Sequence, residues 1–180
     1  DENGVYWSDT LTLPYEPFIG TIGTAPEMEA ISALQPDYYG GNMDLPDVAP
    51  GSIIYLPVQT EGGYLYLGDC HAIQGDGELC GVALEMPATV EIQIDLIKGH
   101  GNSWPQLEAE DRMMFIGSAR PMEDAARIAY RELVRWVAAE TGQSEADAYM
   151  LLTMCGKVRL GNMVDPKYSN GAAIEKKYLK

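Results

Sequence analysis

Residues 68–81 read Gly-Asp-Cys-His-Ala-Ile-Gln-Gly-Asp-Gly-Glu-Leu-Cys-Gly, and the rest of the chain is best read outward from them. Apolar runs at 53–58 and 64–67 lead into this stretch, and 79–84 leads away from it. Asp69 and His71 are two positions apart, so on an extended strand both project from one face. The Gly75-Asp76-Gly77 turn can reverse the chain and bring Glu78 back towards them. A carboxylate, an imidazole and a second carboxylate at a strand end suit a divalent metal or an acid–base pair. The same residues also suit a solvated hairpin turn with a hydrogen-bonded structural histidine. Both readings stand at this point.

The composition narrows the partners. With 12 basic and 27 acidic residues in 180, the formal charge is −15. That disfavours nucleic acid and anionic membranes, and favours metal ions, neutral small molecules or basic proteins. The length suits one domain with a real core. No apolar run approaches a membrane span and no signal-peptide pattern opens the chain, so the expectation is a cytoplasmic protein. The first residue is Asp1 rather than Met, which points to a processed or trimmed product. Cys70, Cys80 and Cys155 form no CxxC pair. The hairpin would bring Cys70 near Cys80, but reduced, buried thiols are the expectation.

Upstream, residues 1–16 carry Tyr6, Trp7, Leu11 and Leu13 among polar residues, as an extended docking arm would. Residues 17–180 are then expected to form a single domain. A glycine-punctuated strand covers 17–26, where close backbone approach to a ligand and simple softening of a strand are both open. A proline-broken loop follows at 27–39. In Gly40-Gly41-Asn42-Met43-Asp44, Asn42 and Asp44 offer an amide and a carboxylate on a glycine-released backbone. Residues 60–63 then predict a hairpin joining the strands at 53–58 and 64–67.

Downstream, residues 88–97 alternate Val90, Ile92, Ile94 and Leu96 with Thr89, Glu91, Gln93 and Asp95, the period of a half-buried strand. Residues 98–110 read as a loop with His100 at the surface, and 113–117 as a short strand. Helical periodicity begins at Pro121. Met122, Ala125, Ala126, Ile128, Ala129, Leu133, Trp136 and Val137 trace one apolar stripe, closed by Gly142. Ser144-Glu145-Ala146-Asp147 resembles a capping box that opens a second helix to about Cys155. Strand character returns at 158–164, and the tail 165–180 is polar and basic at its end. The predicted class is α+β: a mostly antiparallel, β-rich core, barrel- or sandwich-like, with a C-terminal helical pair.

Taken together, several of these pieces resemble the acetamidase/formamidase family of amide hydrolases. They are Pro17-Phe18-Ile19-Gly20-Thr21-Ile22-Gly23, Gly40-Gly41-Asn42-Met43-Asp44, Leu56-Pro57-Val58 and, most specifically, residues 68–78. Ala146-x-Ala148-Tyr149-x-Leu151-Leu152 and Val164-Asp165-Pro166 look like the family's closing helix and tail. The resemblance runs from Leu13 onward.

It implies a β-rich fold, a divalent metal (zinc or calcium), oligomers, and hydrolysis of short aliphatic amides such as formamide or acetamide to acid and ammonia. On that resemblance Asp44, Asp69 and His71 are the expected metal ligands or their supports. Glu78 is the expected general base with His71 at the catalytic centre, and Asn42 and Gln74 are expected to hydrogen-bond the amide substrate. Family members carry an additional N-terminal portion that is absent here, so it is expected as a separate chain, as a removed segment, or as a loss. Two other classes stay open: a non-catalytic metal-binding or assembly domain, and thiol catalysis through Cys70 beside His71.

Overall fold

A computed structural model describes residues 3–99 and 101–179; the expectation for His100 lies outside the described residues. Among the described residues the chain forms ten strands and two α-helices. In order these are β1 (Val5–Ser8), β2 (Leu11–Leu13), β3 (Phe18–Gly23), β4 (Gly40–Asn42), β5 (Ile53–Tyr55), β6 (Tyr66–His71), β7 (Gln106–Glu108) and β8 (Arg112–Ala119). Helices α1 (Met122–Thr141) and α2 (Glu145–Cys155) follow, then β9 (Lys157–Leu160) and β10 (Tyr168–Glu175).

Three antiparallel sheets result. One is the isolated pair β1–β2, one runs β5-β7-β8-β10-β9, and one runs β4-β3-β6. The five-stranded sheet ends at β5 and β9, so it does not close into a barrel. It is the middle of three layers. On one face Met113, Phe115, Ala172 and Ile174 pack against Ala129, Leu133, Val137 and Leu152 of the helices. On the other, Met114, Ile116, Ala173 and Leu107 pack against Ile22, Met43, Leu45 and Val48. Alternate residues of one strand thus serve two cores, as a pleated sheet requires.

The helical pair matches the sequence reading. Ala125, Ala129, Leu133 and Val137 recur every fourth residue and are buried. Gly142 ends α1 in the left-handed conformation, φ 70°, where a residue without Cβ is unstrained. The Ser144 hydroxyl accepts from the Asp147 amide, capping α2. A Cβ on Gly117 of β8 would run into the Ala125 carbonyl and sit 2.8 Å from the Ala129 amide nitrogen. Glycine there lets α1 lie directly on the sheet.

Four expectations are corrected. The 53–58/64–67 hairpin is not formed, because β5 pairs with β7 and β6 with β3. The turn at 60–63 closes (Gly63 N–H to Thr60 C=O, 3.0 Å), but Tyr64 at φ 48° turns the chain away from β5. Residues 79–84 form no strand; the chain returns only at 84–86, where Ala72 N–H donates to Leu84 C=O and Met86 N–H to Cys70 C=O. Residues 88–97 form no ladder either. The tail, read as merely polar, supplies β10, an interior strand of the sheet paired with both β8 and β9.

Candidate active site

Strand β3 is the hub of the polar cluster. Its antiparallel register sets Thr21 opposite Asn42 on one side and opposite Gly68 on the other. Asp44, just after β4, and Asp69 and His71, on β6, are thereby drawn to one end of the three-stranded sheet. The loop after β6 adds Glu78 and Glu85, and the turn between β9 and β10 adds Asn162 and Asp165 from across the molecule. At the floor lies Gly20. A Cβ there would stand 2.7 Å from Asp44 Oδ1 and 2.9 Å from Asp69 Oδ2.

The backbone is unusual where the carboxylates attach. Among the described residues five non-glycines have positive φ, and three of them are Asp44 (46°), Asp69 (57°) and Glu78 (48°). Left-handed geometry at a residue with a Cβ costs about 1 kcal/mol or more and persists only where the surroundings enforce it. Strained backbone is thus concentrated on three convergent acids at this end of the sheet.

His71 is fully buried. Its Nδ1 lies 2.8 Å from Gln74 Oε1. The Gln74 amide nitrogen already donates to the carbonyls of Asp44 (2.8 Å) and Gly161 (2.9 Å), so Oε1 is the acceptor and Nδ1 carries the proton. Nε2 is left facing carboxylates, 3.4 Å from Asp69 Oδ1 and 3.2 Å from Glu85 Oε2, and has no hydrogen-bond partner. Asp44 Oδ1 is likewise buried and unpartnered. Ligand atoms of Asp44, Asp69 and His71 all lie within 4.8 Å of one another, and so do those of His71, Glu78 and Glu85. An imidazole lone pair and anionic oxygens that face each other without donors between them form a set complementary to a cation. The residues present fit a divalent metal.

Around this set the amides are engaged with protein. Asn42 Nδ2 donates to Asp44 Oδ2 (2.9 Å) and to Asp165 Oδ2 (2.8 Å), and its Oδ1 accepts from the Thr21 hydroxyl. Asn162 Nδ2 donates to the Asn42 carbonyl (3.0 Å) and to Asp44 Oδ2 (3.3 Å). Arg120 reaches the Asp165 carbonyl at 2.6 Å and lies over the Tyr168 ring. Burial, reinforced by Glu78, Asp165 and Asp69, pushes the Asp44 carboxyl up to about 9. Burial likewise raises Glu78, with His71 opposing and Asp165 and Glu85 adding to the rise. Asp165 is raised by burial against its Asn42 hydrogen bond. Acids held close together and partly buried resist ionising together.

All six sequence-predicted residues, Asn42, Asp44, Asp69, His71, Gln74 and Glu78, belong to this one network. In the sequence Asp165 stands out only within the Val164-Asp165-Pro166 motif, and Glu85 and Asn162 do not stand out; no spacing pattern ties them to residues 68–78, and only the fold brings them in. The three cysteines are free, and Cys80 is exposed rather than buried. Burial and the Asp69 charge raise the Cys70 thiol, the reverse of what a thiolate nucleophile needs.

The chain matches the Acetamidase/Formamidase family over residues 24–174. It is 57% identical to the crystal structure of acetamidase from Yersinia enterocolitica, with TM-score 0.96, covering 98% of this chain and 53% of that one. An acetamidase structure from Bacillus halodurans aligns at 36% identity and TM-score 0.93, over 97% of this chain and 59% of that one. The acetamidase of Mycolicibacterium smegmatis is 29% identical over 171 residues, 89% of this chain and 40% of its own length. The chain therefore spans about half the length of the relatives it matches. With the family match covering most of its residues and the same fold in homologous structures, this chain belongs to the acetamidase/formamidase family.

Proposed function

We propose that this chain carries the metal-binding and proton-transfer residues of a hydrolase that converts short aliphatic amides, formamide or acetamide, to the carboxylic acid and ammonia. The observation that carries this reading is the convergence of buried, unpartnered Asp44 Oδ1 and His71 Nε2 on the carboxylates of Asp69, Glu78 and Glu85. Relatives named acetamidase and formamidase supply the substrate class.

Asp44, Asp69 and His71 would hold zinc or calcium, both compatible with imidazole and carboxylate donors. Such an ion polarises an amide carbonyl and makes water more acidic. Glu78 is the general base. Its raised affinity for a proton suits it to accept one from the attacking water at a carboxylate oxygen, and to return it to the amide nitrogen as the C–N bond breaks and ammonia leaves. Gln74 fixes the His71 ring with Nε2 inward, and Asn42 and Asn162 hold Asp44 and Asp165 in place. These amides act as positioning residues, because their hydrogen-bonding groups already have protein partners.

The test is ammonia release from formamide and acetamide, with and without added zinc or calcium. It is run on this chain alone and on its mixture with the polypeptide equivalent to the relatives' remaining half. Metal-dependent release that falls about 10²–10⁴-fold in Glu78→Gln is expected. Turnover indifferent to that substitution, or no turnover in either preparation once metal is bound, would overturn the proposal.

A further inference from the structure

Residues 88–97 carry the alternation of a strand yet make no backbone hydrogen bond among the described residues. Their apolar members stand in solvent: Ile94 is 69% exposed and Leu96 67%, and Ile97 is exposed with them. Only Val90 is half-buried in this stretch. An unpaired strand with an apolar face is an open template for pairing, which folded proteins normally cover. Leu79 and Val82 are also exposed, and so are Tyr6 and Trp7 of the β1–β2 arm. The Tyr15 hydroxyl lies 3.6 Å from the Met86 sulfur, so the base of the arm touches the start of this stretch.

The surface area says how much is uncovered. A compact protein of 19.7 kDa exposes roughly 8,600 Å², and this chain exposes 10,356 Å². The excess is about 1,800 Å², roughly twice the 800 Å² or so that one partner gives to a standard interface. Scattered apolar residues would not call for a partner, but an excess of this size, with a strand-patterned segment in it, does. The Yersinia enterocolitica acetamidase has the fold of this chain in 53% of its length. The other 47% of that chain is polypeptide that must pack on something.

We propose that residues 88–97 are a docking strand, completed by a β-strand from polypeptide equivalent to the portion of the relatives outside the matched span. The occupant's chemistry follows from the segment. Its apolar residues would lie beside Ile92, Ile94 and Leu96, and Lys or Arg beside Glu91 and Asp95, since cross-strand neighbours of opposite charge stabilise a ladder. A basic face also suits a chain of charge −15. Recognition would rest on main-chain hydrogen bonds, with alternate side chains giving specificity. This inference rests on the fold and the exposed strand pattern and does not depend on the proposed activity.

The experiment co-expresses the full 180-residue chain with the part of the Yersinia enterocolitica acetamidase outside the matched span. Sedimentation and amide hydrogen exchange are then compared with the 180-residue chain alone. A one-to-one complex is expected, with exchange over residues 88–97 slowed at least about 100-fold. Ile94→Pro, which removes one exposed N–H, and Ile94→Lys should each weaken the complex at least tenfold. Neither should alter the circular dichroism of the chain alone, because residue 94 is 69% exposed and belongs to no ladder. Three results overturn the proposal: no complex, a complex that leaves 88–97 exchanging freely, or protection of 88–97 in the chain alone through a homodimer.

Discussion

Gln74 clamps His71: its Oε1 accepts from His71 Nδ1 at 2.8 Å, while its amide nitrogen is tied to the carbonyls of Asp44 and Gly161. A three-point anchor of this kind decides which imidazole nitrogen faces the carboxylates. Partners of that type typically tune metal affinity 10–100-fold. Gln74→Met, similar in volume but without the acceptor, should weaken zinc or calcium binding in titration calorimetry by about that factor. Far-ultraviolet circular dichroism should be unchanged. Equal affinity in the variant would mean that His71 is oriented by packing, through its edge-on contact with Phe18.

Gly20 offers a second test, this time of space. A methyl group there must sit within 3 Å of Asp44 Oδ1, the Asp69 carbonyl and Asp69 Oδ2. Overpacking of this kind costs about 1–3 kcal/mol in a folded protein. Gly20→Ala should lower the unfolding free energy from chemical denaturation by that amount and drive the two carboxylates apart, so that metal affinity drops by at least tenfold. A variant that binds metal as tightly as the parent would show that Asp44 and Asp69 need not meet over Gly20.

The acids also set a pH dependence whose sign is fixed. Asp44 holds its proton up to about 9 in the fold against an ordinary 3.8, and Glu78 and Asp165 shift the same way. A carboxyl raised on folding contributes stability that is fully present below its unfolded pKa and lost as pH rises through the folded one. Through Asp44 the metal-free chain should therefore lose stability between pH 4 and 9, at up to about 1.4 kcal/mol per pH unit, with Glu78 and Asp165 adding in the same direction. Asp44→Asn should flatten the curve, and saturating zinc or calcium should too, because a cation favours the ionised acids. A metal-free chain whose unfolding midpoint rises between pH 5 and 8, unaltered in Asp44→Asn, would contradict this reading.

The two helices were legible because their signals are local. A four-residue apolar repeat and a serine cap do not depend on anything far away. Strand β10 was not, for a physical reason. Buried on both faces, Tyr168–Glu175 has no alternation to read, and its Gly171, Ala172 and Ala173 are small because cores press on it from both sides. Conversely, 88–97 has the alternation and lacks the ladder, since pairing is a property of the neighbour and not of the segment. The site divides in the same way. Asp69, His71, Gln74 and Glu78 lie within one short stretch, the end of β6 and the loop after it, and could be read together. Glu85, Asn162 and Asp165 join them only through the return at 84–86 and the β9–β10 turn.

The bond from Asn42 to Asp165 spans 123 residues of sequence. At synthesis rates of 5–20 residues per second, the amide leaves the ribosome roughly 6–25 s before the acid it will hold. During that interval Asp44 lacks both the Asn162 amide and the β10 strand that presses its loop into place. A nascent chain therefore exposes Asp44, Asp69, His71 and Glu78 before the amide and the strand that hold Asp44 in place have been made, so the supports of the cluster are synthesised after its acids. The site matures last, when the C-terminal strand slots between β8 and β9.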